Sequence, residues 1–120
     1  MRVSVTKQFE FEACHHLPDY DGACARNHGH TYKMDVEVEG EIDKTSGMVL
    51  DFSILKRMVK NLIVDKFDHQ DLNDFYDMPT AENMVVDIFN TLEHHLDGAA
   101  PVLKRVRLWE TSSSYAEAKC

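Results

Sequence analysis

Residues 2–14 and 30–39 alternate apolar and polar side chains with a period of two, and these runs commit the chain to a fold built on paired strands. Val3, Val5, Phe9, Phe11 and Ala13 share one face of the first run. In the second, Tyr32, Met34, Val36 and Val38 oppose Lys33, Asp35, Glu37 and Glu39. A slip of one residue would turn every side chain to the other face, so each pattern fixes its own phase. The two strands are expected to pair antiparallel, joined by the segment 15–30, with the acidic face of the second left to solvent.

That joining segment carries His15, His16, His28 and His30, four of the chain's seven histidines, and Cys24, one of its three cysteines. In an extended backbone His28 and His30 leave the same face. His15 continues the apolar series of the first run, and His30 shares the phase of Tyr32. If no bulge intervenes, all three imidazoles extend core-directed faces. An ordinary surface pair would explain His28-Gly29-His30 alone, but a third histidine in phase favours a metal. Three imidazoles without a fourth protein ligand are the set of a catalytic zinc, whose open position takes water or substrate. Cys24, four residues before His28, leaves two roles open. As a fourth ligand it would close the tetrahedron and make the site structural; as a free thiol beside the metal it could act as a base.

Beyond the second strand, Asp51 or Ser53 can cap a helix. Leu55, Met58, Val59, Leu62 and Ile63 recur at helical spacing, which predicts a helix over 53–66. Asp68-His69 falls where that helix meets a loop, and residues 70–79 read as a connection. Thr80 can cap a second helix with Glu82 in its first turn. Met84, Val85, Ile88, Phe89, Leu92 and Leu96 form its buried stripe, and Gly98 is its expected stop. Residues 102–110 and 115–118 complete the pattern as strands. Val106, Leu108 and Glu110 share a phase, so a carboxylate continues an apolar face and needs a partner there. The order β-β-α-α-β-β predicts an α+β fold, a four-stranded antiparallel sheet with two helices on one face.

The chain's 120 residues suit a single domain, 1–120. Its 21 acidic and 13 basic residues give a net charge of −8, which argues against nucleic-acid and membrane-surface binding. No run approaches the roughly 20 apolar residues of a membrane helix. Three cysteines without scaffold spacing point to a reducing, cytoplasmic setting.

Further pieces acquire meaning together. Phe9-Glu10-Phe11-Glu12-Ala13 runs into His15, and Cys24 is followed after Ala25-Arg26-Asn27 by His28-Gly29-His30. Then come Gly47-Met48-Val49-Leu50-Asp51-Phe52, Phe67-Asp68-His69, Pro79-Thr80 with Glu82, and Trp109-Glu110-Thr111. In this order they resemble the 6-pyruvoyltetrahydropterin synthase superfamily, and the three-residue spacer after Cys24 resembles its 6-carboxytetrahydropterin synthase branch. The resemblance implies the tunnelling fold (T-fold), in which sheets of several subunits join into a barrel. A homo-oligomer is thus expected, a trimer or dimer of trimers with active sites at subunit boundaries. It implies Zn2+ on His15, His28 and His30, acid–base chemistry by Cys24, Asp68 and His69, and Glu110 as pterin anchor and member of the relay. Thr80 and Glu82 match a segment near the substrate. The implied reaction converts 7,8-dihydroneopterin triphosphate, a pterin triphosphate, to 6-carboxy-5,6,7,8-tetrahydropterin, acetaldehyde and triphosphate on the way to queuosine. The alternatives are triphosphate elimination to the 6-pyruvoyl product, or a zinc- or pterin-binding oligomer without turnover.

Overall fold

In the computed structural model, which describes residues 1–96 and 101–120, β1 (Arg2–His15) and β2 (His28–Glu41) pair antiparallel along their whole length. The register sets His15 opposite His28 and Ala13 opposite His30. Side chains alternate across each strand, so all three histidines emerge on the face that carries Phe11 and Tyr32. The strand phases read from the sequence therefore hold, with no bulge between β1 and β2.

α1 (Phe52–Val59) starts on Asp51, whose carboxylate accepts the Ser53 N–H at 2.8 Å. The helix then widens into a π segment, Lys60–Val64, and closes with the turn Asp65–Phe67. Leu55, Val59, Ile63 and Phe67, all buried, lie four residues apart. In a regular helix that spacing drifts about 40° per step, and the wider turn takes up the drift. β3 (Gln70–Asp71) follows and pairs parallel with Ala13 and Cys14 of β1. The expected connection over 70–79 thus adds a fifth strand to a sheet expected to have four. Two residues are too few for any hydropathy pattern to reveal. Thr80 Oγ1 accepts the Asn83 N–H at 3.1 Å and caps α2 (Ala81–Leu96). The expected stop at Gly98 lies outside the described residues.

β4 (Val102–Thr111) and β5 (Ser114–Lys119) complete the sheet in the order β3-β1-β2-β4-β5. The β2–β4 register slips where Val38 pairs Leu103 and Glu37 pairs Arg105. Lys104 is the extra residue, and the phase of β4 reverses across it. Leu103 is consequently 2% exposed and Val102 49%, the opposite of simple alternation from Val106. Both helices cover the face bearing Phe11, Tyr32, Met34, Val36, Val106 and Leu108. Phe11 stacks on Tyr32 with ring centroids 5.1 Å apart and meets Phe67 at 5.9 Å. Complete burial of one such side chain contributes about 1.5–3 kcal/mol.

The opposite face was expected to be simply solvated, but it is laced with ion pairs. Glu37 Oε1 lies 2.8 Å from Arg105 Nε, and Glu117 accepts from both Arg105 and Arg107. Alternation thus produces one apolar and one ionic face, and leaves the histidines at the end of the apolar one.

Candidate active site

Three strand ends build the site. The His15, His28 and His30 ring centroids form a nearly equilateral triangle, with sides of 4.6, 4.7 and 5.0 Å. Two of the rings are held by their Nδ1 atoms. His28 Nδ1 lies 2.7 Å from the Arg26 carbonyl, which can only accept, so Nδ1 carries the proton and Nε2 keeps its lone pair. His15 Nδ1 meets the Tyr32 hydroxyl at 2.7 Å, leaving its Nε2 turned toward the other rings. Such contacts orient metal-ligating imidazoles.

The fourth group is Glu110. It continues the phase of Val106 and Leu108, and a register shift between Trp109 and Thr111 breaks the β4–β5 ladder at this residue. Glu110 Oε1 lies 3.2 Å from His30 Nε2 and 3.5 Å from His15 Nε2. One ligand atom from each of His15, His28, His30 and Glu110 falls within 4.8 Å of the others. Cys24 is outside this group, and Glu110 is the fourth residue among those that could hold an ion.

The electrostatics fit a cation. Burial, reinforced by the neighbouring His28 and His30, pushes the His15 pKa down to about 4. Burial also lowers His30, although Glu110 opposes the shift. Both rings are thereby kept neutral, as metal ligation requires. His30 Nε2 is buried and makes no hydrogen bond despite its approach to Glu110. A buried ring nitrogen with no protein partner keeps a lone pair free for a ligand, and a metal ion fits it.

The remaining sequence candidates lie outside this group. Cys24 sits half-buried in a single 3-10 turn, Ala23–Ala25, where its carbonyl accepts the Leu17 N–H at 2.7 Å. Asp68 Oδ1 accepts the Glu12 N–H at 2.9 Å, and Oδ2 lies 3.1 Å from His69 Nδ1. The Glu12 amide, then His69, hold the Asp68 carboxyl below its ordinary range. His69 has a left-handed backbone, φ +61°, and a side chain 75% exposed. It lines a cleft of about 620 Å³ with Glu12, Cys14, His30, Thr31 and Asp71. Neither Asp68 nor His69 joins the histidine–Glu110 group within the one chain. Glu82 shares a cavity of about 440 Å³ with Glu110, Val85, Ser114 and Tyr115. Thr80 is the helix cap and does not line that cavity. Sequence reasoning missed Tyr32 as a site residue, although it follows His30 by two positions and so shares its face.

The profile of the family described as 6-pyruvoyl tetrahydropterin synthase matches residues 4–120. A 6-carboxy-5,6,7,8-tetrahydropterin synthase of Haemophilus influenzae is 36% identical, over 94% of this chain and 96% of its own. A dihydroneopterin monophosphate aldolase of Pyrococcus furiosus is 37% identical, over 92% of this chain and 91% of its own. The solved structure of Caenorhabditis elegans 6-pyruvoyl tetrahydropterin synthase superposes with a TM-score of 0.88 at 29% identity, covering 100% of this chain and 96% of that one. Sequence and fold agree over essentially the whole chain: it belongs to the 6-pyruvoyl tetrahydropterin synthase family.

Proposed function

We propose that the chain is a zinc-dependent 6-carboxy-5,6,7,8-tetrahydropterin synthase, converting 7,8-dihydroneopterin triphosphate to 6-carboxytetrahydropterin, acetaldehyde and triphosphate in queuosine biosynthesis. The observation that carries this reading is the convergence of three imidazoles, two of them held neutral by burial, and Glu110 at the ends of β1, β2 and β4. The Haemophilus relative's name and the three-residue spacer Ala25-Arg26-Asn27 favour the carboxy product.

His15, His28 and His30 would hold the zinc, which when bound supplies a Lewis acid for negative charge developing on the substrate's side-chain oxygens. Glu110 offers two carboxylate oxygens to the parallel N–H groups of the pterin's aminopyrimidine edge. Glu82, in the same cavity, and Thr80, which caps α2 just before it, would be the substrate-side residues that the family resemblance implies. Cys24 takes a side-chain proton. Asp68 orients His69, which passes the proton on. In this reading a neighbouring copy completes the site, which accounts for the exposure of His69 and its separation from the histidine–Glu110 group. The outer edge of β1 before Glu12, where β3 does not reach, and the outer edge of β5 would give a trimer, or dimer of trimers, its means of joining sheets. Three free cysteines suit a cytoplasmic setting. No helix among the described residues is long and apolar enough to cross a membrane.

Anaerobic incubation of zinc-loaded protein with 7,8-dihydroneopterin triphosphate tests the proposal. The expected products are acetaldehyde and a 6-carboxy pterin, identified by mass. A 6-pyruvoyl product would move the chain to the activity named for the C. elegans structure. The Pyrococcus relative supports a second reading, aldol cleavage of dihydroneopterin monophosphate, so that compound belongs in the same assay. Absence of turnover by folded, metallated protein on either compound would leave a binding role.

A further inference from the structure

The geometry points to Glu110 as a displaceable fourth ligand, closing the metal group at rest and withdrawing into the adjoining cavity when a pterin arrives. This deepens the proposed function and rests on its zinc and pterin-anchor assignments.

Two donors of one tetrahedral zinc, each about 2.0–2.1 Å from the ion, lie roughly 3.3–3.4 Å apart. Glu110 Oε1 stands at 3.2 Å from His30 Nε2 and 3.5 Å from His15 Nε2, which brackets that spacing. Atoms this close would ordinarily be a hydrogen-bonded pair, yet His30 Nε2 has no hydrogen-bond partner. The imidazole and carboxylate thus sit side by side, as co-ligands do, rather than aimed at one another. The carboxylate continues the phase of Val106 and Leu108 at a break in the β4–β5 ladder, and its side chain remains 28% exposed, with room to turn. The space it would enter is the cavity of about 440 Å³ lined by Glu110, Glu82, Ser114 and Tyr115.

Oε1 turned toward His15 and His30 is turned away from the adjoining cavity, so giving both oxygens to a pair of parallel N–H groups there draws it off the metal group. The two states compete, so the pterin ring opens the fourth position by recruiting the group that blocks it. By reciprocity, filling the metal site must weaken pterin binding by the same factor that pterin weakens the hold on the metal.

The test uses the full chain, loaded with Co2+ in place of zinc, and unsubstituted pterin as probe. That ring presents the aminopyrimidine edge but no side-chain hydroxyl to fill the vacated position. In chelator competition Glu110→Gln is expected to bind Co2+ at least about tenfold more weakly, with a changed visible absorption band. Added pterin should shift the wild-type band toward that of the variant. Glu110→Asp, which retracts the oxygen and keeps the charge, should show the same loss if the Gln variant folds poorly. Asp71→Asn, which removes another charge felt by His15, should leave the band unchanged. Equal affinity and equal bands for wild type and both Glu110 variants would overturn the proposal, as would pterin binding without spectral change. A comparable change in Asp71→Asn would assign the effect to charge alone and overturn it too. Wild type that binds no Co2+ removes the zinc assignment itself. Undiminished pterin binding by Glu110→Gln removes the anchor and, with it, the exchange.

Discussion

The Tyr32 hydroxyl lies 2.7 Å from Nδ1 of His15, and both side chains are buried, Tyr32 at 0% and His15 at 1% exposure. When Nε2 ligates a metal, Nδ1 carries the proton and donates it to the phenol oxygen. Tyr32→Phe keeps the ring that stacks on Phe11 and removes only that acceptor. The variant should fold, lose about 1–3 kcal/mol for the orphaned imidazole N–H, and bind zinc about 10–100-fold more weakly. Urea denaturation and chelator competition measure the two effects separately. Unchanged zinc affinity would mean that the bond is structural only.

Cys24 tests which group stands fourth. The ligand atoms within reach of one ion come from His15, His28, His30 and Glu110. Cys24→Ala should therefore retain one zinc per chain and its folded stability, while turnover falls by about 10²–10⁴, the worth of a positioned proton acceptor. Metal analysis of the purified variant decides. Loss of zinc with the thiol would restore the closed, structural site.

Metal-free protein should show a particular acid sensitivity. His15 has an ordinary pKa of 6.5 and a folded one near 4, so between those values the unfolded chain binds more protons. Stability of the chelated protein should fall as pH drops from about 6.5 to about 4. Glu39 and Glu117, lowered chiefly by their arginine partners, have an unfolded value of 4.5 and withdraw support only below it. The windows barely overlap. Denaturant midpoints at pH 7.5, 6, 5 and 4 would expose a histidine-driven decline, and a flat profile down to pH 5 would contradict it.

Periodicity carried the sequence reading as far as local pattern reaches. The phase of β1 and β2 placed His15, His28 and His30 on one face because each strand's burial is written in its own alternation. The phase of Val106, Leu108 and Glu110 likewise delivered a carboxylate to the same face. What escaped depends on contacts between distant segments. The bulge at Lys104 reverses β4 only because β2 offers Glu37 and Val38 as unequal partners. β3 exists only because the chain after α1 returns to Ala13 and Cys14. Glu110, and not Cys24, joins the three histidines because β4 pairs with β2 and brings its end beside His30, a neighbour that no residue spacing encodes.

His69 separates chemistry from backbone strain. Its φ of +61° is a conformation that costs most residues energy but that asparagine adopts readily. Alanine there would confound a lost imidazole with a strained turn. His69→Asn keeps the turn, and with it the Glu12 contacts of the His69 and Asp68 backbone and carboxylate. The side chain is 75% exposed, so stability should move by less than about 0.5 kcal/mol. Zinc content should not change, because His69 lies outside the ligand group. Turnover should drop by about 10²–10⁴ if the imidazole relays a proton. Asp68→Asn, which keeps an oxygen for the Glu12 amide but loses the charge facing His69, should fall in the same direction by less. Steady-state assays of both variants, with zinc content and thermal melts in parallel, supply the comparison. A fully active His69→Asn protein would take the Asp68–His69 pair out of the reaction and leave it as the turn that seats β3.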